Sequence, residues 1–370
     1  MNDAKGLYQE HLTRLKTAVE LGKPDRMPVA LQATSVCANL LGVKLSDFVT
    51  NPVLNNETIL KAVKLVGDVD AIAQHLLSPH VLSMATLSKV KIPGVELPDD
   101  NVWQVAEAEL MKPEDYDTII NKGFNAFLHT EYYPKRLDNV MAKLGPIFGY
   151  MPQALMNTAA AGLVVTMPVA TSVPFEMFSG GRSMAKFARD MFKIPEKVQA
   201  AMDVAMNDII ADVKKIAGMA KPFGIMNPLG RASGGFLSRK IQERFAFPYF
   251  KKLTEVIVEA GAVPMLHLDS NWERDLDFFR DLPKGKCVMQ LDGFTNIFKA
   301  KEILGDHMCI QGDVPPALLT LGTPDEVYSY CTRLISEIGP SGFILASGCD
   351  VPANAKLENI KAMVSAATGK

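Results

Sequence analysis

The side chains best suited to chemistry in this 370-residue chain lie where short apolar runs end. Residues 164–173 lead into Pro174-Phe175-Glu176, and the run 263–269 closes on His267-Leu268-Asp269. The run 286–292 closes on Gln290-Leu291-Asp292, and 307–313 on Gln311-Gly312-Asp313. The run 342–348 passes into Ser347-Gly348-Cys349-Asp350. Few of these side chains suit a dry apolar core unless they are paired. His267 and Asp269 are two residues apart, so on a strand they share a face. An imidazole nitrogen, a carboxylate oxygen and the Cys349 thiolate would form a three-ligand zinc site with one open position, as catalytic zinc requires. The same residues are compatible with a plain His267–Asp269 hydrogen bond beside a small buried cysteine. Glu176, Asp292 and Asp313 are candidate general acids at the same strand ends. Glu176 could equally be a fourth ligand or cap a helix beginning near Ser179.

The elements that must position these groups alternate. Candidate strands fall at 222–228, 263–269, 286–292, 307–313 and 342–348, with helical periodicity over 241–260, 272–280, 294–304, 324–337 and 356–367. Strands alternating with helices imply parallel strands joined by right-handed crossovers. Three more candidates at 27–33, 69–75 and 164–173 bring the count to eight, which closes a parallel (β/α)8 barrel. The expected architecture is therefore one α/β barrel domain over 1–370. An insertion near 80–160, after the second strand, would serve as a lid over the barrel mouth. In such a barrel the catalytic groups stand at the carboxyl ends of the strands, where these polar residues lie.

The totals set limits on function. Apolar residues make up 48% of the chain and charged residues 22%, with a formal net charge of −2. That composition suits a globular core and offers no broad basic field for nucleic acid. No apolar run approaches the ~20 residues needed to cross a bilayer. Five scattered cysteines, an odd number, argue against a disulfide framework and for a reducing, cytoplasmic setting. The glycine pairs at 180–181 and 234–235 match no nucleotide-binding pattern.

Three stretches together resemble the uroporphyrinogen decarboxylase superfamily. They are Gly22-Lys23-Pro24-Asp25-Arg26-Met27-Pro28-Val29, Ile310-Gln311-Gly312-Asp313 and the ending over 342–367, GFILASGCDVPANAKLENIKAMVSAA. The resemblance implies a (β/α)8 barrel. True decarboxylases of this superfamily carry an arginine-rich stretch after the first strand. Here residues 31–42 read LQATSVCANLLG, without arginine. The corrinoid-dependent methyltransferase branch binds zinc through a His-x-Cys on strand five and the cysteine of a Ser-Gly-Cys on strand eight. This chain matches at His267 and Cys349 and departs at Asp269. Fewer thiolates leave zinc a stronger Lewis acid toward oxygen.

The resemblance thus points to methyltransferase I of an anaerobic O-demethylase system. Such an enzyme moves methyl from a phenyl methyl ether to the cob(I)alamin of a separate corrinoid protein. That partner would dock over the mouth, near Trp103, Tyr132, Tyr133 and Tyr150. A rival zinc spacing from the same subgroup reads as Asp281, Cys309 and Cys349. Asp281 is expected at the wrong end of the barrel, and Cys309 reads as core filling. Competing functions are methyl transfer from a corrinoid to a thiol, porphyrinogen decarboxylation, and ligand binding without catalysis.

Overall fold

In the computed structural model, which describes residues 2–369, the eight expected strands form a closed parallel barrel. They are β1 (Ala30–Leu31), β2 (Ala71–Ile72), β3 (Val164–Val165 and Val169–Ala170), β4 (Gly224–Pro228), β5 (Val263–Leu268), β6 (Val288–Leu291), β7 (Cys309–Val314) and β8 (Phe343–Ser347). Each pairs with the next in parallel register, from Ala30↔Ala71 through Gln311↔Ile344. A Val29↔Leu345 bridge joins the last strand to the first. The third strand is broken because Pro168 has no N–H to donate. Its first half pairs with β2 and its second with β4.

The crossover helices follow the apolar periodicity with two local departures. The span expected at 241–260 is two helices, Arg239–Phe245 and Phe247–Glu259, with Pro248 in the first turn of the second. A proline ring is accommodated there and would disrupt a helix interior. The span 272–280 is a 3-10 helix, Glu273–Asp281.

Two apolar cores result. The larger lies between the outer faces of the strands and the surrounding helices. The smaller fills the barrel: Ala30, Ala71, Val164, Met265, Val288, Cys309 and Ile344 point inward and meet Leu15, Ala18 and Val19 of helix Asn2–Val19. That helix closes the amino-terminal end of the barrel, where buried Asp70 pins it. The Asp70 carboxylate accepts from Arg14, from Arg26 Nη1 (2.8 Å) and from the Val29 N–H (2.8 Å). Arg14 also donates to Asp25 and Glu10.

The insertion after β2 contains helix Pro79–Thr86, a hairpin of Lys89–Lys91 with Gln104–Ala106, and helix Pro113–Lys122. A chain of short helical turns follows, and helix Val140–Ala160 makes the crossover to β3. Tyr132 and Tyr133, expected on a docking surface, are instead core: Tyr132 donates to the Leu87 carbonyl (2.7 Å) and packs on Phe127. An aromatic body with a satisfied hydroxyl gains more by burial than by exposure. Among the described residues, no helix is long and apolar enough to cross a membrane.

Asp70→Ala should destabilise the fold by about 3–5 kcal/mol, because it removes the buried acceptor that Arg14, Arg26 and the Val29 N–H share. Urea denaturation of the wild type and the variant measures this. A loss below about 1 kcal/mol would show that the cluster does not hold the helix in place.

Candidate functional site

Alternation along β5 carries Met265, His267 and Asp269 up the inner wall, from the apolar plug to the mouth. His267 is nearly buried, with 11% of its side chain exposed, and Asp269 beyond the strand end is 51% exposed. His267 Nε2 lies 3.4 Å from Asp269 Oδ1. Cys349 reaches the same point from the turn after β8. The ligand atoms of His267, Asp269 and Cys349 all lie within 4.8 Å of one another, and no other such trio occurs among the described residues.

The turn that delivers Cys349 is tight for a reason. A Cβ on Gly348 would stand 2.7 Å from the Asp292 carbonyl, so only glycine lets the end of β8 pass the end of β6. Ser347 Oγ donates to the Cys349 carbonyl (2.6 Å), and the Gly348 N–H donates to Val314 (2.9 Å).

The outer nitrogen of the imidazole is also held. Nδ1 lies 3.2 Å from Gln290 Oε1, the register neighbour of His267 on β6. With the amide oxygen as acceptor Nδ1 carries a proton, which leaves Nε2 to face Asp269 and Cys349. Burial opposes charge on His267. Hydrogen bonds and charge attraction from Asp269 and Cys349 outweigh it and raise the imidazole well above its ordinary value. Asp269 is lowered by its hydrogen bond and charge attraction to His267, against partial desolvation. The pocket is thus arranged around one positive charge. Zinc fits this donor set: its bonds to nitrogen, oxygen and sulfur place tetrahedral ligand atoms roughly 3.3–3.6 Å apart. The nitrogen–oxygen pair already has that spacing.

Three carboxylates were candidate acids, and the structure separates them. Glu176 lies in the first turn of helix Pro174–Arg182, which starts five residues before Ser179. Its Oε1 accepts from the Arg231 N–H (2.9 Å). Burial pushes its carboxyl up to about 7 against that bond, with Asp269 adding to the rise. The insertion holds this helix from behind, where a Cβ on Gly180 would sit 1.8 Å from the Thr86 carbonyl oxygen. Buried Arg182 ties the same helix to Asp190, Glu109 and the Met111 carbonyl.

Asp292 has both oxygens engaged, accepting from the Ser270 N–H (2.8 Å) and the Phe294 N–H (2.9 Å). Its carboxyl is raised by burial. It fastens the turn that follows Asp269, where Ser270 holds a left-handed φ of 75°. Asp313 accepts from Tyr330 Oη (2.7 Å) on helix Pro324–Glu337, and burial raises it to about 6.

The rival trio does not come together. Asp281 is exposed at the end of its 3-10 helix, and Cys309 lies in the apolar barrel floor, its thiol raised by burial. Asp68 and Asp70 stand at the opposite end of the barrel with Arg14 and Arg26. Sequence reasoning assigned no role to Gln290, because a glutamine within an apolar run carries no signal until its strand neighbour is known.

Comparison with known proteins gives a consistent family. The uroporphyrinogen decarboxylase (URO-D) pattern matches residues 134–369. A uroporphyrinogen decarboxylase of Geobacter metallireducens is 26% identical over 354 residues, covering 93% of this chain and 94% of that one. One from Geotalea daltonii is 31% identical over 187 residues, about half of each chain. The structure of a methyltransferase from Methanosarcina mazei matches with a TM-score of 0.73 at 18% identity. It covers 96% of this chain and 97% of that one, a likeness of fold. With the family pattern spanning 134–369 and the barrel closed around it, the chain belongs to the uroporphyrinogen decarboxylase family.

Proposed function

We propose that this chain is a zinc-dependent methyltransferase. It takes methyl from a phenyl methyl ether and passes it to the cob(I)alamin of a separate corrinoid protein. The observation that carries the reading is the His267–Asp269–Cys349 trio at the barrel mouth, with a raised carboxyl, Glu176, beside it. Zinc held there would supply Lewis acidity toward the ether oxygen, the atom that gathers negative charge. As the bond between methyl carbon and aryl oxygen breaks, the electron pair stays on oxygen and methyl leaves for the corrinoid. Glu176 gives its proton to that oxygen; a carboxyl raised to about 7 is protonated often enough near neutral pH to do so. Gln290 keeps the His267 ring in one tautomer, and Asp292 fixes the turn after Asp269.

A carboxylate in place of a second thiolate favours an oxygen-containing donor over a thiol acceptor. Decarboxylation of a porphyrinogen fits less well. Residues 31–42 offer no arginine to hold substrate carboxylates, and Asp68 and Asp70 are committed at the far end of the barrel. Phe236 and Phe294, exposed on the loops after β4 and β6, give the corrinoid protein an apolar rim to meet.

The decisive experiment is metal content of protein purified without added metal. About one zinc per chain is expected, lost in Cys349→Ala and His267→Ala and kept in Asp281→Ala. A wild type without zinc would sink the reading, and zinc loss in Asp281→Ala would restore the rival ligand set. Gln290→Leu should weaken zinc binding about 10–100-fold in a chelator competition. With zinc retained, Glu176→Gln should slow methyl transfer from an aryl ether about 10²–10⁴-fold. Turnover within a factor of about three of wild type would remove Glu176 as the acid.

A further inference from the structure

Gln290 and Gln311 are register partners on β6 and β7. Each stands two residues above an inward-facing member of the barrel plug, Val288 and Cys309, so both side chains point into the barrel. Both are 1% exposed. The Gln290 amide oxygen faces His267 Nδ1 at 3.2 Å. Gln290 Nε2 is left facing inward with no protein partner, and so is Gln311 Oε1 on the adjacent strand. Buried polar atoms are nearly always hydrogen-bonded, so two unpaired atoms on adjacent strands, at the level of His267, call for a partner. One is a donor and the other an acceptor.

We propose that this pair is a recognition subsite for a hydroxyl group on the methyl donor. The inference rests on the proposed methyltransferase reading and narrows its substrate to hydroxylated aryl methyl ethers. A hydroxyl oxygen accepts from Gln290 Nε2 while its hydrogen donates to Gln311 Oε1, so one group completes both. A carboxylate satisfies Gln290 and sets an anionic oxygen against Gln311 Oε1. A bare ring edge leaves both atoms unpaired. Sites that hydrogen-bond a substrate hydroxyl reject the analogue lacking it far more strongly than apolar pockets reject a missing methylene. Gln290 thereby acts twice, orienting His267 through its oxygen and the substrate through its nitrogen.

Calorimetric titration of the zinc-loaded full chain, without corrinoid protein so that nothing turns over, tests this. The probes are the methoxyphenol isomers, methoxybenzene and methoxybenzoate. At least one methoxyphenol should bind about tenfold or more tighter than methoxybenzene, and methoxybenzoate no tighter than methoxybenzene. In Gln311→Met that advantage should vanish, with methoxybenzene binding and zinc content unchanged. If Gln311→Met has no cooperative thermal transition, Gln311→Ser takes its place. Equal binding of methoxyphenols and methoxybenzene would overturn the subsite, as would tighter methoxybenzoate or a hydroxyl preference that survives the substitution. If zinc is present and no methoxyarene binds at all, the ether-donor reading itself falls and takes the subsite with it.

Discussion

Closure of the barrel is the constraint from which the mouth follows. β8 meets β1 through the Val29↔Leu345 bridge, and the seam continues upward. The Leu345 N–H donates to Pro28, Gln32 Nε2 to the Ser347 carbonyl and the Val351 N–H to Gln32. An open sheet would leave β5 and β8 far apart with their inner faces parallel. Curled shut, the sheet makes those faces look at each other across a space the width of a few side chains. That is how the thiol of a cysteine 82 residues from His267 in sequence comes within 4.8 Å of its ring. At the other end, Asp70 links the same seam to the closing helix by accepting from both Val29 and Arg14. The Asp70 cluster and the His267–Asp269–Cys349 cluster thus occupy opposite ends of one apolar plug.

Charge placement at the mouth follows from how each carboxylate spends its hydrogen bonds. Asp292 and Asp313 are satisfied by backbone amides and by Tyr330, which makes them parts of the frame. At Glu176 burial outweighs the bond from the Arg231 N–H, and the carboxyl rises to about 7. Asp269 is coupled to His267 and is lowered. Similar side chains in neighbouring turns therefore take up different protonation tendencies, set by burial and partners and not by residue type.

The insertion after β2 bears on the site through its packing. Its Thr86 carbonyl and Tyr132 hydroxyl press against Gly180 and Gly181, and its Glu109 and Met111 hold Arg182. The helix so gripped carries Glu176 in its first turn. Density of contact on the far side of a helix is what allows a side chain on its near side to be held in one place.

Much of this was legible in the residues themselves. All eight strands were visible as apolar runs, because parallel strands buried on both faces read as near-continuous hydrophobic segments. The period-two rule alone placed His267 and Asp269 together, and the ending around Cys349 marked the family. Other features needed the third dimension. Pro168 interrupts β3 only because that stretch must pair with β2 on one side and β4 on the other. Tyr132 and Tyr133 carry no sequence mark separating a docking surface from a core. The roles of Glu176, Asp292 and Asp313 depended on which amide or hydroxyl each met, and Gln290 acquired meaning only through its register with His267 and Gln311. Periodicity along one strand is a local property that a sequence records. Pairing between strands depends on register and closure, which only the folded chain sets.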